Sequence, residues 1–330
     1  MKKITLNVLA FGLMATGAFA QDFCNVETAH SGESIVATSN QIKAIGDYHY
    51  EMWADAGSNS ATYYTDGSFS CEFSNVNDYL CREGLFYGQN SGLSYKQLGH
   101  LYADFKLTDP KLSTYQNVTY SYIGVYGWSQ DPLIEWYVVD TWKPSRPTWI
   151  GNSGCEGCGK IGSFDVDGGT YDVYVDKVQR GSIEGDNTPF TQYFSVRRTK
   201  RNCGTIDITA HFEAWESMGL PLGSSMYEAK VLGEAGQYPE NGDASGSIDF
   251  SYAKVYTAEN KPSVEPEGIA SSIRFQNQSA KVQVFDMQGR ALGELLLNGK
   301  SLNQALRSTY KAAGTYLVKQ NGKVSTVILK

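Results

Sequence analysis

From about residue 47 to residue 257 the chain runs in short stretches where apolar and polar residues alternate, broken by Gly, Asn and Asp. "SATYYTDGSFSCEF", "LSYKQLGHLYADFKL", "NVTYSYIGVYGW", "LIEWYVVDTW", "GTYDVYVDKV", "FTQYFSVRRTK", "YEAKVLGEA" and "SGSIDFSYAKVY" follow this rule. A period of two sends successive side chains to opposite faces of a strand, and many such strands at regular spacing predict an antiparallel sandwich or barrel. Only "TIDITAHFEAWESMGL" breaks the rhythm. There His211, Trp215 and Met218 recur at i, i+4 and i+7, which predicts a single α-helix stopped at Gly219. On that stripe His211 reads as a satisfied core or seam histidine rather than a catalytic base.

The two ends of the chain read differently. Residues 1–20, "MKKITLNVLAFGLMATGAFA", have two lysines, an apolar run and a small-residue ending, the layout of a secretory signal peptide. The run is short for a membrane span, and no other segment is long and apolar enough for one. A large domain over 21–257 is expected to be exported. Residues 258–272, rich in Pro and charge, read as a linker. Beyond it, 273–330 holds two strand pairs, with Asn321–Gly322 as a hairpin signal, and predicts a small β-sandwich-like module.

Composition narrows the partners. The chain has 330 residues, 19% of them charged, a net charge of −7, 34 glycines and 22 tyrosines. A mildly acidic surface argues against nucleic acid, which needs concentrated Lys and Arg. Many tyrosines with few charges suit an aromatic surface that meets sugars. Six cysteines in an exported chain predict disulfides, although sequence alone leaves the pairing open. Cys71 and Cys81 flank "EFSNVNDYL", Cys155 and Cys158 share a Gly-rich loop, and Cys24 and Cys203 remain. The Cys155–Cys158 pair has no second ligand pair for zinc and no helix to make it a redox motif. No metal and no cofactor are expected.

The candidate chemistry lies in "YSYIGVYGWSQDPLIEWYVVDTW", residues 120–142, where Glu135 is a lone acid in an apolar, aromatic strand. An unpaired carboxylate is costly to bury. By alternation Tyr120, Tyr122, Tyr126 and Trp128 share one face, and Glu135 shares its own with Leu133, Tyr137 and Val139. If the two strands pair, Tyr122, Tyr126, Glu135 and Tyr137 line one surface, where tyrosines stack on sugar rings and orient a carboxylate.

"YGWSQDPLIEWYVVDTW" resembles the stretch around the catalytic nucleophile of the family 11 glycoside hydrolases, which are endo-1,4-β-xylanases. The resemblance continues in order through "GGTYDVYV", "GSIEG", "FTQYFSVRR", "HFEAWESMGLPLG" and "YEAKVLGEA". It implies an all-β jelly-roll sandwich of two antiparallel sheets with one helix. It also implies retaining hydrolysis of internal xylosidic bonds, with Glu135 as nucleophile and Glu234 as general acid/base. Glu234 stands in "KVLGEAGQ", where the family carries Val-Ala-Thr-Glu-Gly. The nearby Glu228 and Glu240 read as solvated surface acids.

The same resemblance makes Tyr122, Tyr126, Tyr137 and Gln192 cleft residues and Trp53 a sugar platform. Gly181, Ser182 and Ile183 match the tip of the loop called the thumb, with Gly181 in place of the family's proline. Asp78 falls where the family has Asn or Asp beside the acid/base, and aspartate there implies an acidic pH optimum. Two adjacent carboxyls share a proton and titrate as a pair. The implied partners are xylan and xylo-oligosaccharides, with monomer as the default state. A non-catalytic xylan-binding lectin on the same fold, or a related endo-β-glucanase, is the alternative.

The tail, "VQVFDMQGR…GTYLVKQNGKVSTVILK", resembles the C-terminal sorting domains of the type IX secretion pathway. That implies engagement of export machinery and delivery to the medium or cell surface. Residues 273–330 hold no tryptophan and two tyrosines, Tyr310 and Tyr316, so an aromatic sugar platform is poorly supplied there.

Overall fold

The computed structural model describes residues 22–108, 115–152 and 154–262, and in the C-terminal part 281–286, 290–296, 306, 309–310, 314–320 and 323–329. The signal-peptide segment and most of the linker lie outside the described residues. The chain divides into two compact units at Pro266/Glu267.

The first unit is a two-sheet sandwich, the jelly roll expected. A six-stranded sheet runs in the order β1 (Ser34–Ala37), β4 (Ser60–Tyr64), β5 (Phe69–Val76), β15 (Ala244–Thr257), β7 (Leu101–Leu107), β13 (Cys203–Asp207). A nine-stranded sheet runs β10 (Gly159–Val166), β11 (Gly169–Ser182), β12 (Gly185–Arg197), β9 (Ile134–Thr141), β8 (Tyr120–Gln130), β14 (Ser225–Gly236), β6 (Asp78–Phe86), β3 (Tyr48–Ala54), β2 (Gln41–Ile45). Among the described residues all strand pairs of these two sheets are antiparallel but one. β12 lies parallel to β9, because the chain leaves β9 through a long loop and returns by the β10–β11–β12 meander.

Between the sheets, inward residues of both form the core, with Phe69, Phe105, Val125, Trp136, Tyr171 and Phe250 fully or nearly fully buried. The Cys71–Cys81 disulfide joins β5 of one sheet to β6 of the other through this core. Cys24–Cys203 ties the N-terminal segment to β13, and Cys155–Cys158 closes the loop before β10. The helix α1 (Ile208–Ser217) starts at Asp207, whose side chain accepts from the Ala210 N–H at 2.9 Å. It ends before Gly219, whose φ of +80° suits glycine. Its buried stripe is His211, Phe212 and Trp215, with Met218 packed at its end. His211 is in the core as expected, but it is not satisfied: neither ring nitrogen has a hydrogen-bond partner, and Asp167 lies 3.5 Å from Nε2.

Among its described residues the second unit forms a small separate antiparallel sheet, in the order β17 (Ala291–Leu296), β16 (Lys281–Phe285), β18 (Gly314–Gln320), β19 (Lys323–Leu329). Helical residues at Leu306 and at 309–310 stand between β17 and β18. Leu306 joins Val282, Val284, Leu295 and Val318 in the small core. β18 and β19 pair antiparallel with Gln320 opposite Lys323, and Asn321–Gly322, the expected hairpin signal, lies outside the described residues.

Candidate active site

The nine-stranded sheet has a second apolar face, turned away from the sandwich. Leu80, Tyr122, Tyr126, Trp128, Tyr137 and Phe194 form a buried cluster there, with Ile183 of the β11–β12 hairpin packed against it. The expected surface exists because β8 and β9 pair as a hairpin, with Tyr126 opposite Tyr137 and Trp128 opposite Glu135. The parallel β9–β12 pairing then sets Gln192 opposite Glu135.

Glu135 is buried and fully engaged. Tyr126 donates its hydroxyl to Oε1 at 2.7 Å, and Gln192 Nε2 donates to Oε2 at 2.6 Å. Trp128 Nε1 in turn donates to the Tyr126 hydroxyl, fixing its direction. Arg180 Nη2 lies 3.7 Å from Oε2. Tyr137 stacks on Phe194 at 4.4 Å and meets Tyr126 and Tyr122 edge-on at 4.9 and 5.6 Å. A carboxylate with two strong donors is held in one orientation.

Glu234 sits in β14, in one cross-strand row with Tyr122, Leu80 and Trp53. It is buried, and its Oε2 has no hydrogen-bond partner. Burial, then the charges of Asp78 and Glu135, push its carboxyl well above the ordinary range, against the pull of Arg180 and Arg82. Asp78 opens β6 opposite Gly236, so it is a diagonal neighbour of Glu234 on the same face. Burial raises it to about 6, although Tyr120 donates to it and Arg180 lowers it. Asp78 Oδ1 also lacks a partner. Burial, together with Glu234 and Glu135, raises the phenols of Tyr122 and Tyr137, which therefore stay protonated as donors.

Trp53 is 39% exposed at the end of the Glu234 row. Gly181, Ser182 and Ile183 form the hairpin tip. Ser182 Oγ accepts from the Glu184 N–H at 3.0 Å and donates to the Gly185 carbonyl at 3.2 Å. Across from it Gln89 donates to the Ile183 carbonyl at 2.7 Å and Gln130 to Glu184 at 2.8 Å. A Cβ on Gly181 would meet nothing closer than Asp186 Oδ1 at 3.9 Å, so nothing in the fold requires glycine there.

Glu228 corrects the sequence reading. It is fully buried, with Lys230 Nζ 2.5 Å and Arg82 Nε 3.5 Å from its oxygens, while Glu240 is exposed as expected. Alternation assigned Glu228 a face but not a depth. Arg180, Arg82, Glu51 and Lys230 were missed. Arg180 shares the parity of Tyr174 and Val178, which was the available signal. Trp149, 48% exposed and 6.3 Å from Tyr120 and Tyr122, was also missed.

Cys155, Cys158 and Asp176 are the one group with ligand-like spacing among the described residues, and the two sulfurs are bonded to each other. A cavity of about 1000 Å³ lies near Thr38, Asn40, Asp55, Asn59, Phe73 and Gln116, and neither Glu135 nor Glu234 lines it. No helix among the described residues is long and apolar enough to cross a membrane.

The chain is similar to several known proteins. An "Endo-1,4-beta-xylanase A" of Piromyces sp is 53% identical over 237 residues, 71% of this chain and 35% of that protein. An "Endo-1,4-beta-xylanase C" of Fibrobacter succinogenes is 45% identical over 283 residues, 82% of this chain and 44% of that protein. The chain thus spans less than half the length of these two relatives. The crystal structure of wild-type ENZbleach xylanase matches with a TM-score of 0.58 at 34% identity, covering 71% of this chain and 91% of that one. The model of "Glycosyl hydrolases family 11" matches residues 45–247, and the chain belongs to that family.

Proposed function

We propose that the chain is an exported, retaining endo-1,4-β-xylanase that cuts internal bonds of xylan, with Glu135 as nucleophile and Glu234 as acid/base. The observation that carries this reading is the pair of unlike carboxyls on one aromatic face. Glu135 is gripped by two donors, whereas Glu234 has an orphan oxygen and a pKa pushed well above the ordinary carboxyl range by burial and by Asp78 and Glu135. Cleaving an acetal needs a proton for the leaving oxygen and a nucleophile for the oxocarbenium-like carbon.

In the first step a Glu135 oxygen bonds to the anomeric carbon. The bond to the leaving oxygen breaks, and the Glu234 proton passes to that oxygen. Glu135 is then a neutral ester, so one of the charges that raised Glu234 is gone. Glu234 becomes the base that takes a proton from water, and the ester is hydrolysed. Asp78 regulates the proton. Below about 6 it is neutral; above, its anion beside Glu234 binds the shared proton more tightly and makes Glu234 a poorer donor. Hydrolysis is therefore expected to be favoured on the acid side.

Export, through a cleaved signal peptide and sorting by the C-terminal module, is part of the same reading and rests on the sequence motifs. The test is reducing-sugar release from xylan and from a soluble cellulose by the full chain, Glu135→Gln and Glu234→Gln. Xylan-specific release, abolished in Glu135→Gln and reduced by about 10²-fold or more in Glu234→Gln, is expected. A folded protein that binds xylan without cutting it would instead be a lectin. Fractionation of the source cells, expecting product outside them, tests export.

A further inference from the structure

We propose that Lys160 and Arg198, gathered with Arg146 around Asp172 on the outer face of the nine-stranded sheet, form a subsite for the carboxylate of a uronic acid branch on the leaving-side part of the xylan chain. This rests on the xylanase reading above. The patch is continuous with the aromatic face. There β9, β12 and β11 set three rows side by side: Glu135–Gln192–Asp176, then Tyr137–Phe194–Tyr174, then Val139–Val196–Asp172. Asp172 is four residues along β11 from the Glu135 row, about 13 Å at the rise of a strand. Lys160 reaches it from β10, with Nζ 2.8 Å from Oδ1. Arg198, just past the end of β12, puts Nη2 2.8 Å and Nε 3.1 Å from the same oxygen. Arg146 comes from the loop after β9, with Nη2 2.9 Å from Oδ2. That loop also carries Trp149, which lies against Tyr120 and Tyr122, across Glu234 from Trp53. With Trp53 as the platform on the non-reducing side, the loop and its arginine stand on the leaving side.

Asp172 needs one partner and has three. Burial would raise its carboxyl, but hydrogen bonds from Arg198, Lys160 and Arg146 hold it at about 2, so it is a full negative charge at any working pH. Arg146 is the least exposed of the cations, and it also donates to the Val196 and Arg197 carbonyls, which pins the loop to β12. That one pair is enough to neutralise Asp172. Lys160 and Arg198, both about half exposed, crowd the other oxygen and repel one another. Even with Asp165, which also faces Arg198, the cations outnumber the acids here, on a chain whose net charge is −7. An anion arriving from solvent relieves that repulsion, and one carried on a xylan branch is delivered by the backbone lying in the cleft. Arginine's planar fork matches a carboxylate, and lysine adds a mobile point charge. A neutral branch lacks the charge that this patch answers.

The test compares kcat/KM of the full chain, Lys160→Gln, Arg198→Gln and the double variant on glucuronoxylan and on the same polymer with its branch carboxyls reduced to alcohols. Reduction keeps the branch and removes its charge. The wild type should favour the acidic polymer, and the double variant should lose about 3–10-fold of that preference, the size of one or two half-exposed charge contacts. About 0.5 M salt should weaken the wild-type preference in the same way. A preference absent in the wild type, or unchanged in a double variant that unfolds at the wild-type temperature, overturns the proposal. Should the double variant not fold, a wild-type preference unmoved by salt overturns it equally. Polygalacturonate that competes as well as glucuronoxylan, and ceases to in the double variant, would make the patch a general polyanion site and overturn the assignment to a xylan branch. No hydrolysis of either polymer by the wild type overturns the xylanase reading. Hydrolysis of both without preference leaves that reading standing and removes this subsite alone.

Discussion

Two groups of charges share the outer face of the nine-stranded sheet, and they are balanced differently. Glu51, Arg82, Glu228 and Lys230, on β3, β6 and β14, are two acids and two cations, all buried. Arg82 reaches Glu51 at 2.7 Å and Glu228 at 3.5 Å, and Lys230 reaches Glu51 at 3.3 Å and Glu228 at 2.5 Å. Burial alone would raise Glu51, but Arg82 and Lys230 outweigh it and hold it below the ordinary range, whereas burial keeps Glu228 above it against the same two cations. The second group, Glu135, Glu234 and Asp78, faces one half-exposed arginine. A group that matches every charge is structural. A group with acids in excess must keep protons, and a kept proton is what acid catalysis uses.

The sharpest way to break the contrast is to unbalance the first group. Arg82→Met leaves two buried carboxyls to one lysine, and removing one partner of a buried ion pair costs about 3–5 kcal/mol. Urea unfolding should show a loss of that size. Tyr126, whose ring lies 4.4 Å from the Arg82 guanidinium, would also lose its cation, so Glu135 would be held less firmly. A loss below about 1 kcal/mol would mean that the cluster's charges are not desolvated as their burial implies.

Glu83 gives the same comparison without a function attached. It lies in β6 next to Arg82 but faces the sandwich core, 1% exposed, and neither carboxylate oxygen has a hydrogen-bond partner. Burial pushes it up to about 9. An acid whose folded value is raised costs nothing below the ordinary carboxyl range. Its cost grows as pH climbs from there toward the folded value, and levels off above it. Glutamine stays neutral, so Glu83→Gln should gain stability over that window by up to about 1.4 kcal/mol per pH unit. At neutral pH the gain should be about 2–3 kcal/mol, since buried groups relax and take up water. Urea unfolding at several pH values checks this. A difference flat between about pH 5 and 9 would show that Glu83 carries the same charge folded and unfolded.

Much of this architecture was legible from alternation. The shared face of Tyr122, Tyr126, Glu135 and Tyr137 follows from two strands and one hairpin pairing. The helix stripe of His211 and Trp215 follows from its period. Register between distant strands was not legible, because nothing local fixes it; Gln192 reaches Glu135 only through the parallel β9–β12 pair. Depth was not legible either. Glu228 carries the pattern of a surface acid and becomes a core ion because Lys230 and Arg82 arrive beside it. Family resemblance pointed to Glu234 and Asp78, while the parity of Arg180 gave its face but not its approach to Glu135.

The smallest expected effect concerns the second group. Asp78→Asn removes one of the excess acids without altering the strand or the size of the side chain. On the proposed mechanism the proton on Glu234 is a good donor only while Asp78 is neutral, and burial places the Asp78 carboxyl at about 6. With asparagine that limit disappears, and the fall in activity waits for Glu234 itself to ionise. Burial and Glu135 still hold Glu234 high, while the contribution of Asp78 is lost. The alkaline limb of kcat/KM should therefore move up, by about 1 unit for the loss of one close charge. A limb that moves down in Asp78→Asn would mean that the Asp78 anion assists proton donation, and the division between a balanced and an excess-acid group would have to be redrawn with Asp78 on the structural side.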